Sequence, residues 1–284
     1  MLKLIAIGKR ILTDALGHYN DDDGWAMASH VALSSLMALF PFLIFAATLA
    51  SVLGADAFSD TAVHLIFDTW PEKIAAPIAA EVQNVLTVPH GGLATLSFFA
   101  AFYFASSGIE ALRVALNRAY RVAESRTLYF RRAQSFGFVL VAAFGMLAIS
   151  FLLVLAPLVI SILQKFMPRI EPYLGTIQFW RFLIAFVVLV LGLLSVHFWL
   201  PDGKRRLFAI LPGIVVTMLA WFISAALFAT YLERFANYFS TYAGLASIMV
   251  ALVFLYIVAS IFIVGAELNA AIGRYLEARE KVKP

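Results

Sequence analysis

Residues 110–132 read EALRVALNRAYRVAESRTLYFRR and decide how the whole chain is interpreted. The stretch contains six arginines and no lysine, and a long apolar run without internal charge lies on each side of it. A short, arginine-rich connection between two such runs is typical of a cytoplasmic loop in an inner-membrane protein, because basic residues near the ends of spans stay in the cytoplasm. Placing this stretch inside the cell fixes the orientation of every other segment.

The composition indicates a membrane protein. Of the 284 residues, 63% are hydrophobic and only 13% are charged, whereas a soluble domain is about 45–50% apolar and about 25% charged. The chain has no cysteine, which excludes disulfides and cysteine-based metal sites. We therefore predict an all-α, polytopic membrane protein that forms a single membrane domain over residues 1–284.

The apolar runs predict six transmembrane helices, at about residues 25–53, 93–109, 133–163, 179–200, 207–231 and 244–266. Residues 1–20 carry their apolar side chains on one stripe, which predicts an amphipathic helix in the membrane interface. Residues 54–91 are less apolar and are interrupted by prolines, and they predict short periplasmic helices. The arginine-rich stretch 110–132 is the cytoplasmic loop, although Leu112, Leu116 and Ala119 indicate that the second helix continues into it.

The distribution of basic residues tests this topology. Sixteen of the 21 lysines and arginines fall on the predicted inner side: three precede residue 11, six lie within 110–132, three lie within 204–206, and four follow residue 273. The asymmetry favours both termini in the cytoplasm. It also accounts for the net charge of +4, so the arginines do not require a nucleic-acid partner.

Several motifs resemble those of the YihY/BrkB family of bacterial inner-membrane proteins, over nearly the whole chain. They are Leu116-Asn117-Arg118-Ala119-Tyr120 followed by Glu124 and Arg126, Leu211-Pro212-Gly213, Tyr242-Ala243-Gly244-Leu245-Ala246, Leu255-Tyr256, Gly265-Ala266-Glu267-Leu268-Asn269, and Phe40-Pro41. The chain departs from the family pattern at Ala38, where a small polar residue is common, and at Ala243, where an extra alanine is present.

The resemblance implies a six-helix membrane protein and leaves the activity open. The family has carried a ribonuclease label, regarded as a misassignment, and a virulence-factor label, and lipid or lipopolysaccharide handling has been suggested for some members. Three classes of function remain: transport or handling of a lipid or other amphiphile, a non-transporting scaffold or assembly factor, and other transport. With no Asp, Glu, Lys or Arg in the interiors of the predicted spans, ion-coupled transport through a buried carboxylate is disfavoured.

The sequence does not favour a ribonuclease. Metal-dependent hydrolysis of RNA uses clustered histidines and carboxylates, whereas the five histidines are scattered, without a metal-binding spacing. Three consecutive aspartates, Asp21 to Asp23, cannot easily converge on one ion. We therefore expect no enzyme activity, no metal, no cofactor and no nucleic acid; the expected partners are membrane lipids, with an anionic lipid or amphiphile at the cytoplasmic arginines.

Candidate residues for a substrate site or a gate are polar groups and helix-distorting residues at the inner half of the spans. They are Ser34, Ser35, Pro41, Arg113, Asn117, Tyr120, Glu124, Arg126, Pro212, Gly213, Glu267 and Asn269. The two serines either bond to their own helix backbone or line a cavity. A carboxylate near the hydrocarbon boundary needs a partner, so we expect Glu267 to pair with Arg113 or Arg126; the alternative is that Glu267 is solvated at the interface. We expect Asn269 to bind Asn117 or a backbone carbonyl.

Overall fold

The structure, a computed structural model, describes residues 2–52, 93–166, 172–239 and 243–281. Its helices are α1 (Leu2–Asp21), α2 (Gly24–Val52), α3 (Leu93–Ala119), α4 (Leu128–Ser150), α5 (Ala156–Phe166), α6 (Leu174–Trp199), α7 (Leu207–Phe239) and α8 (Ala243–Lys281). Within these ranges the chain forms no strand, and the predicted all-α class is confirmed. The periplasmic helices predicted for 54–91 and the Tyr242 position of the third motif lie outside the described residues.

Helices form here because a bilayer leaves backbone N–H and C=O groups without water, and a helix satisfies them internally. Among the described residues, five helical segments are long and apolar enough to cross a membrane: Thr95–Ala119, Leu128–Leu153, Leu174–Trp199, Leu207–Leu232 and Ile248–Ala278. The first predicted span corresponds to α2, Gly24–Val52. The described chain is thus a polytopic helical membrane protein.

The helices extend further than the apolar runs suggested. Helix α3 continues to Ala119, as its apolar stripe predicted, so that Glu110 and Arg113 lie within a candidate span. Helix α8 continues to Lys281 and places Glu267 well inside it. These three charged residues lie beyond the predicted spans 93–109 and 244–266, on the continuations of the same helices. Only residues 120–127 of the arginine-rich stretch are non-helical.

A π-helical segment, Phe151–Leu155, joins α4 to α5 in place of one uninterrupted helix. Pro157 follows it and has no backbone N–H with which to bond the carbonyl four residues earlier. A wider turn is a common way for a helix to continue past such a missing bond. The predicted third span is therefore built from two helices joined by this segment.

Helix α8 lies at the centre of the bundle and contacts α1, α2, α3 and α7. The buried core consists mainly of small residues on α3 and larger aliphatic residues on α7 and α8: Ala111, Ala115, Leu116, Ile210, Ile214, Ala259, Ile263 and Ala266. Small residues allow helix backbones to approach closely. The resulting van der Waals packing drives helix association in a membrane, where the hydrophobic effect does not act between helices.

The closest approach in the bundle is between α7 and α8. A Cβ atom added to Gly213 would overlap the carbonyl oxygen of Gly265, and one added to Gly265 would overlap the Oγ1 atom of Thr217. Gly213 follows Pro212, which lies inside α7. The Pro212-Gly213 pair therefore marks the position where α7 crosses α8.

Candidate functional site

Polar groups concentrate at one end of the bundle, which we call the arginine-rich end. It contains the end of α1, residues 110–132 and the α6–α7 connection 200–206. The last part of α8 belongs to the same end, since Arg274 pairs with Asp14 of α1. Every basic segment that the sequence predicted to share one side of the membrane is represented at this end.

Arg113 is buried in this end and joins α3 to α4. Its guanidinium pairs with Glu110 one turn earlier on α3, and its Nη2 atom donates to the Arg131 carbonyl at 2.8 Å and to the Ser135 hydroxyl at 2.6 Å. Although Arg113 is only 1% exposed, its charge is matched by Glu110, as burial of an ion requires. Arg113 therefore has a structural role between two helices and does not contact Glu267.

Arg126 is held by the connection between α3 and α4. It forms a bidentate salt bridge with Glu124, with Nε 2.7 Å from Oε1 and Nη2 2.9 Å from Oε2. The same guanidinium donates to Gln134 at 2.8 Å and to the Leu200 carbonyl, at the end of α6, at 2.9 Å. A bidentate arginine–carboxylate salt bridge fixes the orientation of the guanidinium group as well as balancing its charge. Arg126 therefore links this connection to α4 and α6.

Asn117 and Asp202 join the two connections at the arginine-rich end. The Asn117 amide donates to Glu124 at 2.9 Å and accepts from the backbone N–H of Asp202 at 2.8 Å. The Asp202 carboxylate accepts from both the backbone and the hydroxyl of Ser125, at 2.6 and 2.5 Å, and from Gly203 N–H at 2.7 Å. Gly203 has a φ of +87°, which glycine adopts at low cost. We call Asn117, Glu124, Ser125, Arg126 and Asp202 the loop cluster.

A second polar group, the core cluster, lies deeper: Tyr120, His197, Gly213 and Asn269. The Tyr120 hydroxyl is 2.8 Å from His197 Nδ1 and accepts from Asn269 Nδ2 at 3.3 Å. Asn269 Oδ1 accepts from the Gly213 backbone N–H at 2.6 Å. The Arg205 guanidinium lies 4.2 Å above the Tyr120 ring. The cluster connects four helices through the end of α3, α6, α7 and α8.

The expected partner of Asn269 is thus wrong in part. Asn269 does not bind Asn117, which belongs to the loop cluster. We expected the Asn269 side chain to donate to a backbone carbonyl, but its Oδ1 atom accepts from the backbone N–H of Gly213 instead. The physical reason is the close α7–α8 crossing, which brings the Gly213 backbone to the Asn269 side chain.

The expected partner of Glu267 is also wrong. Its carboxylate contacts neither Arg113 nor Arg126; instead both of its oxygens lie 3.1 Å from Nδ1 of His18 on α1. The two arginines are already occupied by Glu110 and Glu124, and α1 packs along α8. His18 also lies 3.4 Å from Asp22, and the ligand atoms of His18, Asp22 and Glu267 all fall within 4.8 Å of one another.

Three remaining candidates, Ser34, Ser35 and Pro41, lie on α2. The Ser35 hydroxyl donates to the Val31 carbonyl at 2.8 Å, which is the backbone bond that one of the two interpretations expected. Ser34 faces Gly108 of α3, where an added Cβ would be 3.8 Å from the serine Cβ. Pro41 lies inside the continuous helix α2. None of these positions touches the loop cluster or the core cluster.

Local bonding shifts several pKa values outside the spans. Bonds from the Ser125 side chain and backbone lower the pKa of Asp202 to about 2. Burial raises the pKa of Tyr120 to about 12. The bonds from Arg126 and Asn117 outweigh burial and lower the pKa of Glu124. At neutral pH the loop cluster therefore contains ionised carboxylates, and Tyr120 keeps its proton.

Sequence reasoning missed His18, His197 and Asp202. His197 could have been noticed as a histidine that ends a long apolar run, and Asp202 as the aspartate of a Pro-Asp-Gly turn. No local pattern links His18 to Glu267, which is 249 residues away.

A known protein family matches most of this chain. The profile of the family described as Virulence factor BrkB matches residues 15–284, which is most of the chain. The chain belongs to the BrkB family. The resemblance noted from the motifs is confirmed.

The relatives of this BrkB-family protein have names of two kinds. YfkH of Bacillus subtilis, named as ribonuclease-like, is 27% identical over 259 residues, covering 91% of this chain and 94% of that protein. A UPF0761 membrane protein of Coxiella burnetii is 29% identical over 258 residues, covering 86% of each chain. Another, of Rhodospirillum centenum, is 25% identical, and this chain spans 57% of its length. No solved structure matches the chain significantly.

Proposed function

We propose that this BrkB-family protein lies in the bacterial inner membrane with its arginine-rich end and both termini in the cytoplasm, and that it handles an anionic lipid or similar amphiphile at that end. The orientation rests on the excess of lysine and arginine in the segments that meet there, which keeps such segments in the cytoplasm.

The proposal rests on one observation: cationic side chains without a bonding partner among the described residues lie next to exposed apolar side chains. Lys204 and Arg206 are exposed, and their side chains make no hydrogen bond or ion pair with the described residues. Leu207 and Phe208 follow directly and are 53% and 86% exposed. Cations beside apolar groups at a bilayer boundary suit an anionic head group whose acyl chains remain in lipid.

The start of α4 also places arginines beside exposed apolar side chains, although these arginines have partners within the protein. Leu128, Tyr129 and Phe130 are exposed, with Tyr129 at 86%, and Arg131 and Arg132 follow them. Arg132 lies 5.5 Å from the centre of the Tyr103 ring and donates to the Ser106 hydroxyl at 3.3 Å. Phosphate oxygens are good acceptors for such guanidinium groups.

A scaffold is the second candidate, and the bonding of Arg113 and Arg126 favours it. Both guanidinium groups are taken up by Glu110, Glu124 and backbone carbonyls. A rigid inner end of this kind can serve as a fixed surface for a protein partner without moving a substrate.

The proposed role is not enzymatic. The one histidine–carboxylate cluster among the described residues, His18 with Asp22 and Glu267, includes a carboxylate that is almost completely buried between helices. A phosphodiester of RNA has no access to such a group. Incubation of the purified protein with structured RNA and Mg²⁺, Mn²⁺ or Zn²⁺ should leave the RNA intact.

A translocation assay in proteoliposomes tests the amphiphile proposal. Fluorescent phosphatidylglycerol should cross the bilayer faster than in protein-free vesicles, and faster than fluorescent phosphatidylcholine. The double variant Lys204→Gln, Arg206→Gln should lower the preference for the anionic lipid. Arg181→Gln, near the other end of α6, is the matched control and should leave the preference unchanged. Translocation no faster than in protein-free vesicles would leave the scaffold as the better account.

A further inference from the structure

The contact between α1 and α8 brings together three groups that no part of the proposed function uses. His18 and Asp22 lie one turn apart on the same face at the end of α1, and Glu267 faces them from α8. Nδ1 of His18 is 3.4 Å from Asp22 Oδ2 and 3.1 Å from Glu267 Oε2.

These separations match those between ligands of one metal ion. Ligand atoms bound at about 2.1 Å to a tetrahedral ion are roughly 3.4 Å apart. One imidazole nitrogen with two carboxylate groups is also a donor set that first-row transition metals accept. The cluster therefore needs only small side-chain adjustments to hold an ion.

Glu267 supplies an independent sign of a missing ligand. It is 1% exposed, and its Oε2 atom accepts no hydrogen bond from the described residues. His18 Nδ1 lies near both oxygens but carries at most one hydrogen, so it can satisfy only one of them. A buried carboxylate oxygen without a donor is unfavourable, and a cation on that side would remove the deficit.

The surroundings also favour a cation. Asp14 and Asp21 add negative charge near His18, while Arg121 and Arg274 add positive charge and are drawn to Asp14. Asp14, Asp21, Asp22 and Glu267 place four carboxylates in this region, against the three arginines Arg118, Arg121 and Arg274.

We propose that His18, Asp22 and Glu267 bind one divalent transition-metal ion of the Zn²⁺ class, which fastens α1 to α8. The side chains of His18 and Asp22 are 18% and 32% exposed, so water and a metal ion can reach the cluster from the polar side. Three protein ligands leave a position for water. The ion links the N-terminal helix to the central helix of the bundle.

Metal binding by the full-length, detergent-solubilised protein tests this assignment. After treatment with a chelator, the protein is titrated with Zn²⁺ by calorimetry and with Co²⁺ by absorption spectroscopy. We expect one Zn²⁺ per chain, a visible Co²⁺ band typical of four-coordinate nitrogen and oxygen ligands, and a higher unfolding temperature with metal.

The variants Glu267→Gln, His18→Asn and Asp22→Asn should each weaken Zn²⁺ binding by at least about tenfold, since loss of even an outer-shell partner costs 10–100-fold. His30→Asn, which changes an exposed histidine on α2, is the matched control and should bind as the unchanged protein does. Asp22 is partly exposed, so its variant keeps the test decisive even where Glu267→Gln does not fold.

Two results would overturn the site: no stoichiometric binding of Zn²⁺, Co²⁺ or Mn²⁺ by the unchanged protein, or binding that all three variants leave intact. Preference for Mg²⁺ or Ca²⁺ over Zn²⁺ would also contradict it, because an imidazole ligand disfavours those ions. These measurements do not depend on lipid translocation, so the metal site and the proposed function are tested separately.

Discussion

At the scale of single residues, several polar side chains in the core bind one another across helix boundaries. Asn269 shows this most clearly, because it accepts from the Gly213 backbone and donates to Tyr120, which in turn contacts His197. In a bilayer core, a hydrogen-bond donor or acceptor without a partner is unfavourable. These residues therefore specify how α3, α6, α7 and α8 meet.

Replacing Asn269 with alanine should destabilise the protein by about 1–3 kcal/mol, because the Gly213 N–H and the Tyr120 hydroxyl lose a buried partner. Unfolding of the detergent-solubilised protein measures the loss. Asn20→Ala, an exposed asparagine at the end of α1, is the control and should change little. Equal stability of the two variants would contradict the role assigned to Asn269.

The Asp202 contact should depend on pH in a defined direction. Its bonds with Ser125 lower the pKa from 3.8 to about 2, so the folded state favours the ionised form. The stabilisation is fully present above about pH 4 and is lost as pH falls towards 2. The difference in unfolding temperature between the unchanged protein and Asp202→Asn should be constant above pH 4 and should shrink between pH 4 and 2. A difference that grows on acidification would contradict this assignment.

At the scale of helices, the sequence predicted the approximate positions of the apolar helical segments but not where the helices end. Helices α3 and α8 run past the apolar residues because a charged face does not break a helix, and Glu110 and Arg113 neutralise each other within one turn. The i, i+3 spacing of that pair was visible in the sequence. The α1–α8 pairing was not, since periodicity gives no relation between segments so distant along the chain.

The crossing of α7 and α8 yields a prediction at this scale. Gly213→Ala and Gly265→Ala should each destabilise the protein by about 1–3 kcal/mol, because the added methyl group forces the two backbones apart. Gly192→Ala on α6, where a Cβ would meet nothing within 4 Å, is the matched control and should be neutral or slightly stabilising. Unfolding in detergent compares the three variants. Neutral substitutions at both crossing glycines would show that this contact does not limit stability.

At the scale of the whole molecule, both described ends of the chain meet the arginine-rich stretch. Asp14 of α1 pairs with Arg274 of α8, and Arg118 of α3 donates to the Asp22 carbonyl at 3.3 Å. This arrangement was predictable because the positive charges of four separate segments favour one side of the membrane. The contacts that join these segments were not predictable from charge alone, since any arginine there satisfies the topological rule.

The side of the membrane on which this end lies is the last prediction. Because the chain has no cysteine, single substitutions report accessibility without background. Lys204→Cys, in the α6–α7 connection, should resist a membrane-impermeant maleimide in cells whose outer membrane alone is permeabilised, and should react once the inner membrane is disrupted. Tyr173→Cys, an exposed position at the start of α6, should react in the first condition, because α6 is long and apolar enough to separate the two sites across the bilayer. The reverse pattern would place the arginine-rich end in the periplasm, where a head group from the cytoplasmic leaflet could not reach Lys204 and Arg206, and the proposed amphiphile site would then have to act on the outer leaflet.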